Sequence, residues 1–426
     1  MTDENQPAPS ARSPVRRWIR PAALATVATG LLAVGPMANA PIPLSGPAVS
    51  EPVIRPLPAP PANGIMGFVV ETFTPPVIQG KDACPNGTQP RLKDAYLKTL
   101  PEAEQARLKQ KQFEKEFLDR WHAYAFGKNG TNICSQPDMF DHAAFTPVES
   151  KFAWGLNLDG GKGANSAPAD GCNHEKFVTP TGASIDNQEY RALGCTLEWR
   201  GTDGIKGDIA VGMRQFHNSG EWTQVIILKG VHSLVYDPDV EVIYANTPDR
   251  PQMDNKGNYL PGMSFNVSTT LPRHRNVLHG RIVNGVLTTD PADIKLTETW
   301  GQGGARDIRG NRGTFHYERG RLRLEFQPDG SVHGFLGGYR PLFDVLLSTA
   351  LGGAGSAIVA GIDCSAELAS LRKYADGMRD PKTGQCTAIS GAEEIKAIPA
   401  FVTDVPGAGN APPVGRKIAT RKIAAR

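Results

Sequence analysis

Alternation of apolar and polar positions dominates the middle of the chain. Between residues 196 and 340, short runs of this kind are separated by turn formers at intervals of roughly 8–12 residues. Ile209–Met213, Val225–Leu228 and Val240–Tyr244 each read as a strand. The clearest element is Arg281–Thr288, where Asn284-Gly285 separates two β-branched runs and predicts a tight hairpin. Ile294, Leu296 and Trp300 alternate next. Phe315–Phe326 is expected to fold back at Arg319-Gly320, and Pro328-Asp329-Gly330 supplies a further turn. Runs this close together leave no room for crossover helices, so a doubly wound parallel sheet is excluded. The pattern predicts a mainly β protein, an antiparallel β-sandwich or jelly roll over 196–340.

Helical periodicity flanks this region. In 64–195, Thr99-Leu100-Pro101-Glu102 has the form of a capping box, and Phe113, Phe117, Trp121 and Tyr124 recur at helical spacing after Leu108. This aromatic stripe reads as core packing, with a ligand groove as the alternative. Residues 131–195 are rich in turn formers and without period. Residues 341–362 are apolar and glycine-rich, with Asp344 the one charge, and suggest a buried helix or helical hairpin. Two short helices are expected in 363–400, within a C-terminal segment 341–402. From 403 onward a disordered basic tail is expected.

The N-terminus changes the picture from fold to location. Arg12, Arg16, Arg17 and Arg20 precede an apolar run Ala22–Val34, and Ala38-Asn39-Ala40 follows as a small-residue site. This order describes a signal peptide over 1–40, and the run is shorter than the roughly 20 residues of a membrane span. Pro41 directly after that site disfavours cleavage, so an uncleaved anchor tethering the protein to the inner membrane is the second reading. A proline-dense linker, 41–63, follows. All six cysteines, Cys84, Cys134, Cys172, Cys195, Cys364 and Cys386, lie after it. An even count in an exported chain predicts three bridges, and pairing of sequence neighbours is the simplest expectation: Cys84–Cys134, Cys172–Cys195 and Cys364–Cys386. The chain is expected to be periplasmic or secreted.

Charge narrows the partners. The chain carries 46 basic and 43 acidic residues. Setting aside four basic and two acidic residues in 1–40, and five basic ones in the last eleven, leaves 37 against 41. A mildly acidic body with a basic tail argues against nucleic acid as partner. An envelope polymer, carbohydrate or anionic lipid suits it better.

Known catalytic patterns are missing. The sequence holds no G-x-S-x-G, no H-E-x-x-H, no C-x-x-C and no glycine-rich phosphate loop opening a helix after a strand. If Arg319-Gly320 is a two-residue turn, one face of a three-strand meander presents His316, Arg323, Glu325 and His333 together. These could perform acid–base chemistry or hold a metal. A second cluster, Arg273, His274, Arg275 and His279, could receive an anionic ligand. The run Asp186-Asn187-Gln188-Glu189-Tyr190-Arg191, with Asn157 and Asp159 upstream, offers loop oxygen ligands that suit Ca²⁺, the one cofactor with any reading, with turn capping and local pairing as the plainer account; Asp376 with Asp380 could share a cation. Two functions follow: an exported sheet protein that binds a carbohydrate, lipid or protein, or a secreted hydrolase or lyase acting on a polymer through the His/Arg/Glu face.

Overall fold

The computed structural model describes residues 56–161, 170–201, 207–220, 222–269, 272–298, 313–349 and 354–404. The segments expected to be a signal or anchor, most of the proline-rich linker and nearly all of the basic tail, together with Trp300, lie outside them.

The strands, in chain order, are β1 (Met66–Thr74), β2 (Phe177–Val178), β3 (Ser184–Ile185), β4 (Gln224–Lys229), β5 (Tyr236–Asn246), β6 (Ser264–Asn266), β7 (Arg275–Val283), β8 (Val286–Thr289), β9 (Ala292–Glu298), β10 (Gly313–Phe326), β11 (Val332–Pro341), β12 (Gly377–Arg379), β13 (Cys386–Pro399) and β14 (Phe401–Thr403). Eight of them, β1, β4, β5, β7, β8, β10, β11 and β13, are hydrogen-bonded in that order, and β13 pairs back onto β1. Each pairing is antiparallel. The result is a closed up-and-down barrel.

This overturns the expected sandwich or jelly roll. Period-2 alternation shows only that one face of each strand is buried, which a sandwich and a barrel satisfy equally. The distinction lies in long-range pairing. Strand β1 lies before the 196–340 stretch and β13 after it, and Phe68↔Pro399 through Thr74↔Glu394 join them. Closure leaves no edge among the eight staves, and so no unpaired ladder groups to protect. Strand β7 shows the consequence for side chains: Asn276, Leu278, Gly280 and Ile282 point inward, while Val277, His279, Arg281 and Val283 are exposed. The interior is filled by Phe68, Val70, Leu228, Val242, Leu278, Leu322, Phe326 and Ile395, among others.

The Asn-Gly hairpin is where the sequence puts it. Asn284 and Gly285 both have positive φ, and Val283 faces Val286. Arg319-Gly320 is not a turn. Strand β10 runs through it with a bulge between Glu318 and Arg321, Arg319 adopting φ 51°. Strands β9 and β8 lie end to end along β10, from Gly313↔Glu298 to Glu325↔Val286. Near the β7 N-terminus the wall is closed differently. The Asn276 side-chain amide donates to the Lys295 carbonyl (2.9 Å) and accepts from the Lys295 N–H (2.8 Å). One side chain there makes the pair of bonds that a neighbouring strand otherwise supplies.

Nine helices are present among the described residues: α1 (Leu92–Lys98), α2 (Glu102–Leu108), α3 (Glu114–Ala125), α4 (Gln188–Leu193), α5 (Leu197–Arg200), α6 (Asp208–Ser219), α7 (Leu342–Thr349), α8 (Ala354–Ala360) and α9 (Cys364–Tyr374). Thr99 closes α1, its Oγ1 donating to the Tyr96 carbonyl, rather than capping α2. Ile209–Met213 belongs to α6, not to a strand; Ile209, Met213, Phe216 and His217 recur at helical spacing and pack toward the barrel core. Residues 341–362 hold the helical pair α7 and α8. The second helix expected in 363–400 is instead β12 and β13.

The disulfides are Cys84–Cys195, Cys134–Cys364 and Cys172–Cys386, so pairing of sequence neighbours is overturned. All six cysteines belong to one helix-rich core outside the barrel, where 84–134, 172–195 and 364–386 interleave. A neighbour in sequence is not a neighbour there.

Candidate ligand site at the polar end of the barrel

Beside its apolar filling, the barrel buries a polar group. Gln224 opens β4; Tyr244 lies near the end of β5; Tyr317 and Phe315 are on β10, Arg340 ends β11 and Glu393 is on β13. All are less than 4% exposed. Their inward direction follows from strand parity: Tyr317 shares a face with Phe315, and Glu393 with Ile395 and Ala397 of the interior core. Rings of Phe73, Trp222 and Phe315 meet at centroid distances of 5.3–5.8 Å beside them.

Arg340 organises this layer. Its Nη1 donates to Glu189 Oε1 at 2.6 Å and its Nη2 to Ser348 Oγ at 3.0 Å. The guanidinium lies 4.1 Å from the Phe315 ring centroid and 5.7 Å from that of Tyr317. Glu189 comes from α4, and glycine at 391 makes room for it, because a Cβ there would collide with Glu189 Oε2. Burial raises the Glu189 carboxyl above the usual range, against the pull of Arg340. Burial, then the nearby Glu393 carboxylate, holds the hydroxyls of Tyr317 and Tyr244 well above the ordinary tyrosine value, so both stay protonated. Burial pushes His217, on α6 against Phe73 and Trp222, down to about 3.

Hydrogen-bonding capacity is left over here. Gln224 uses its Oε1 to accept from the Tyr244 hydroxyl, and its Nε2 has no partner. Asn246 uses its Oδ1 to accept from the Thr297 N–H (2.7 Å), and its Nδ2 has none. The Tyr317 hydroxyl, fully buried, also has none. A buried polar atom without a partner costs about 1–3 kcal/mol.

The residues singled out from sequence are distributed otherwise. Arg323, Glu325 and His333 do share the outer face of the barrel, with Glu325 opposite His333 as the Pro328-Asp329-Gly330 turn requires. His333 pairs with Glu394 at 2.7 Å. His316 is not with them. Because β10 runs on through 319–320 instead of turning, His316 lies farther along the strand, beside Asp344 of α7 (3.8 Å) and Asp293 of β9 (4.0 Å), where burial raises the Glu318 carboxyl above its usual range. The four form no single acid–base cluster. Arg273, His274, Arg275 and His279 also separate. Arg275 is held by Asp404 through Nη2 at 2.6 Å, and His279 meets Asp239 at 3.3 Å. His274 is buried between Thr297 and Thr314, and burial pushes it down to about 4. Arg273 lies at the surface, its Nε donating to His274 Nε2.

Of the oxygen-bearing run, Asn187 caps α4, Gln188 accepts from Arg191 and Glu189 pairs with Arg340, while Asn157, Asp159 and Asp186 converge. The cation among them is the buried Lys176 ammonium, 3.0 Å from Asp186, 3.3 Å from Asn157 and in contact with Asp159. Asp376 accepts from the Ser390 N–H and hydroxyl, both 2.7 Å, and Asp380 from the Lys382 N–H. Among the described residues, no group of three or more His, Cys, Asp and Glu side chains is placed to hold a metal.

The polar layer leaves little local trace in the sequence: nothing near them distinguishes Gln224, Tyr244, Tyr317, Arg340 and Glu393 from surface polars. The available signal was parity: Glu393 is two positions from Ile395 on an alternating strand. Among known proteins the chain matches no family model, no curated protein and no solved structure.

Proposed function

We propose that this is a periplasmic or secreted binding protein whose barrel holds a small polyhydroxylated molecule, a sugar, at its polar end. The observation that carries this is the Tyr317 hydroxyl, fully buried and without a partner in the neighbourhood of Arg340, Glu393 and Tyr244. A sugar brings hydroxyls that both donate and accept. It would satisfy Tyr317 and the free amide nitrogens of Gln224 and Asn246, with its C–H faces against Phe315 and Trp222. The mouths and interiors of β-barrels are common places for such ligands. Three disulfides and no free cysteine belong to oxidising surroundings, which supports work outside the cytoplasm. Among the described residues no helix is long and apolar enough to cross a membrane.

Calorimetric titration with a panel of mono- and disaccharides tests the reading. At least one sugar is expected to bind, and Tyr317→Phe to weaken it about 5- to 10-fold, the value of one hydrogen bond. Absence of binding across the panel, or equal affinity in the variant, overturns the proposal.

A further inference from the structure

An open cleft of about 380 Å³ lies where α1, α2 and α3 meet. Its volume is in the range of small-molecule sites, about 300–1,000 Å³. Leu97, Leu108 and Phe117 form an apolar floor, Leu97 and Leu108 being buried and Phe117 stacked on Tyr96. Lys109, Lys111 and Glu114 stand on the rim. The Lys and Arg side chains of α2 and α3 are paired: Arg107 and Arg120 share Glu104 and Glu116, and Lys115 pairs with Asp119 at 2.6 Å. Lys109 and Lys111 are exposed and have no carboxylate within ion-pair distance among the described residues.

We infer that this cleft binds a single-chain alkyl carboxylate, a fatty acid, with the chain on Leu97, Leu108 and Phe117 and the carboxylate between Lys109 and Lys111. Two observations select this occupant. The floor consists of only three apolar side chains, a small apolar area that suits one acyl chain rather than the two of a phospholipid. The rim carries a net positive charge from two unpaired lysines against one glutamate, which complements an anionic head. The site is independent of the proposed barrel ligand. The Phe117 of the aromatic stripe is thus shared between packing and the cleft.

Titration of the full chain with dodecanoate below its micellar concentration tests this, with dodecyltrimethylammonium and a two-chain anionic phospholipid in vesicles as comparisons. Dodecanoate is expected to bind best and to weaken at high salt. Lys109→Gln with Lys111→Gln is expected to weaken it at least about fivefold, two exposed ion pairs' worth. Glu114→Gln is expected to tighten it about twofold, because it removes the rim's one negative charge. These side chains are on the surface, and circular dichroism confirms that the variants fold. Equal binding of the trimethylammonium compound, preference for the vesicles, an unchanged double variant, or no dodecanoate binding by the wild type each overturns the inference.

Discussion

Asp376 and His217 are buried ionisable groups that act on stability in opposite senses. Burial raises Asp376 to about 7, against the bonds from Ser390. The native state therefore holds its proton more tightly than the unfolded chain does. Stability from this group is present at low pH and is lost as pH rises from about 4 to about 7, with a slope of at most about 1.4 kcal/mol per unit. His217, lowered to about 3, works the other way: its contribution is full above the ordinary histidine value and is lost as pH falls toward the folded value. The two partly cancel, so only a difference between variants isolates either. Denaturant unfolding of wild type and Asp376→Asn between pH 4 and 8 is expected to show the wild type losing stability relative to the variant up to about pH 7, and a constant difference beyond. A difference that stays flat from pH 4 would show that Asp376 is not protonated in the fold. At this scale the sequence showed oxygen-bearing side chains, Asn157 and Asp159 upstream of the Asp186–Arg191 run, without showing which of them meet. It did not reveal that Lys176, in the same segment, fills that set, because only packing brings the ammonium between them.

Elements were legible to the extent that their geometry is local. Asn284-Gly285 has the residues a two-residue turn with two positive φ angles demands, and the hairpin follows. Arg319-Gly320 carries a similar signal, and the chain passes straight through it. The β9 and β11 partners on both sides of β10 decide between turn and bulge, and neither is adjacent in sequence to 319–320. Strand β7 depends on another non-local device. Asn276→Ala removes both side-chain bonds to Lys295 and leaves a backbone N–H and C=O unpaired in the wall. We expect a loss of roughly 2–4 kcal/mol, from about 1–3 kcal/mol per unpaired group, measured by denaturant unfolding. An effect under about 0.5 kcal/mol would mean that the β7–β9 junction contributes nothing.

For the whole molecule, three disulfides with sequence separations of 111, 230 and 214 tie the helix-rich core together. Constraints on the unfolded chain over loops this long are worth roughly 5 kcal/mol each in the chain-entropy account. The barrel is closed by main-chain pairing and has its own core. Mild reduction is therefore expected to raise hydrogen exchange in 84–200 before the staves β4, β5 and β7. Simultaneous loss of protection in both would show that barrel and helical core fold as one unit.

By itself the sequence determined most of the strand periodicity, the Asn284-Gly285 turn, the even cysteine count and a basic, apolar and small-residue order at the N-terminus. Each follows from preferences of residues near one another in the chain. Tertiary structure decided the rest: that β1 and β13 meet and make a barrel, which cysteines pair, and that His316 leaves Arg323, Glu325 and His333 while Gln224, Tyr317, Arg340 and Glu393 share an interior. Alternation tells which face of a strand is buried. What that face meets is set by closure, and closure depends on contacts between residues more than 300 positions apart, such as Phe68 and Pro399.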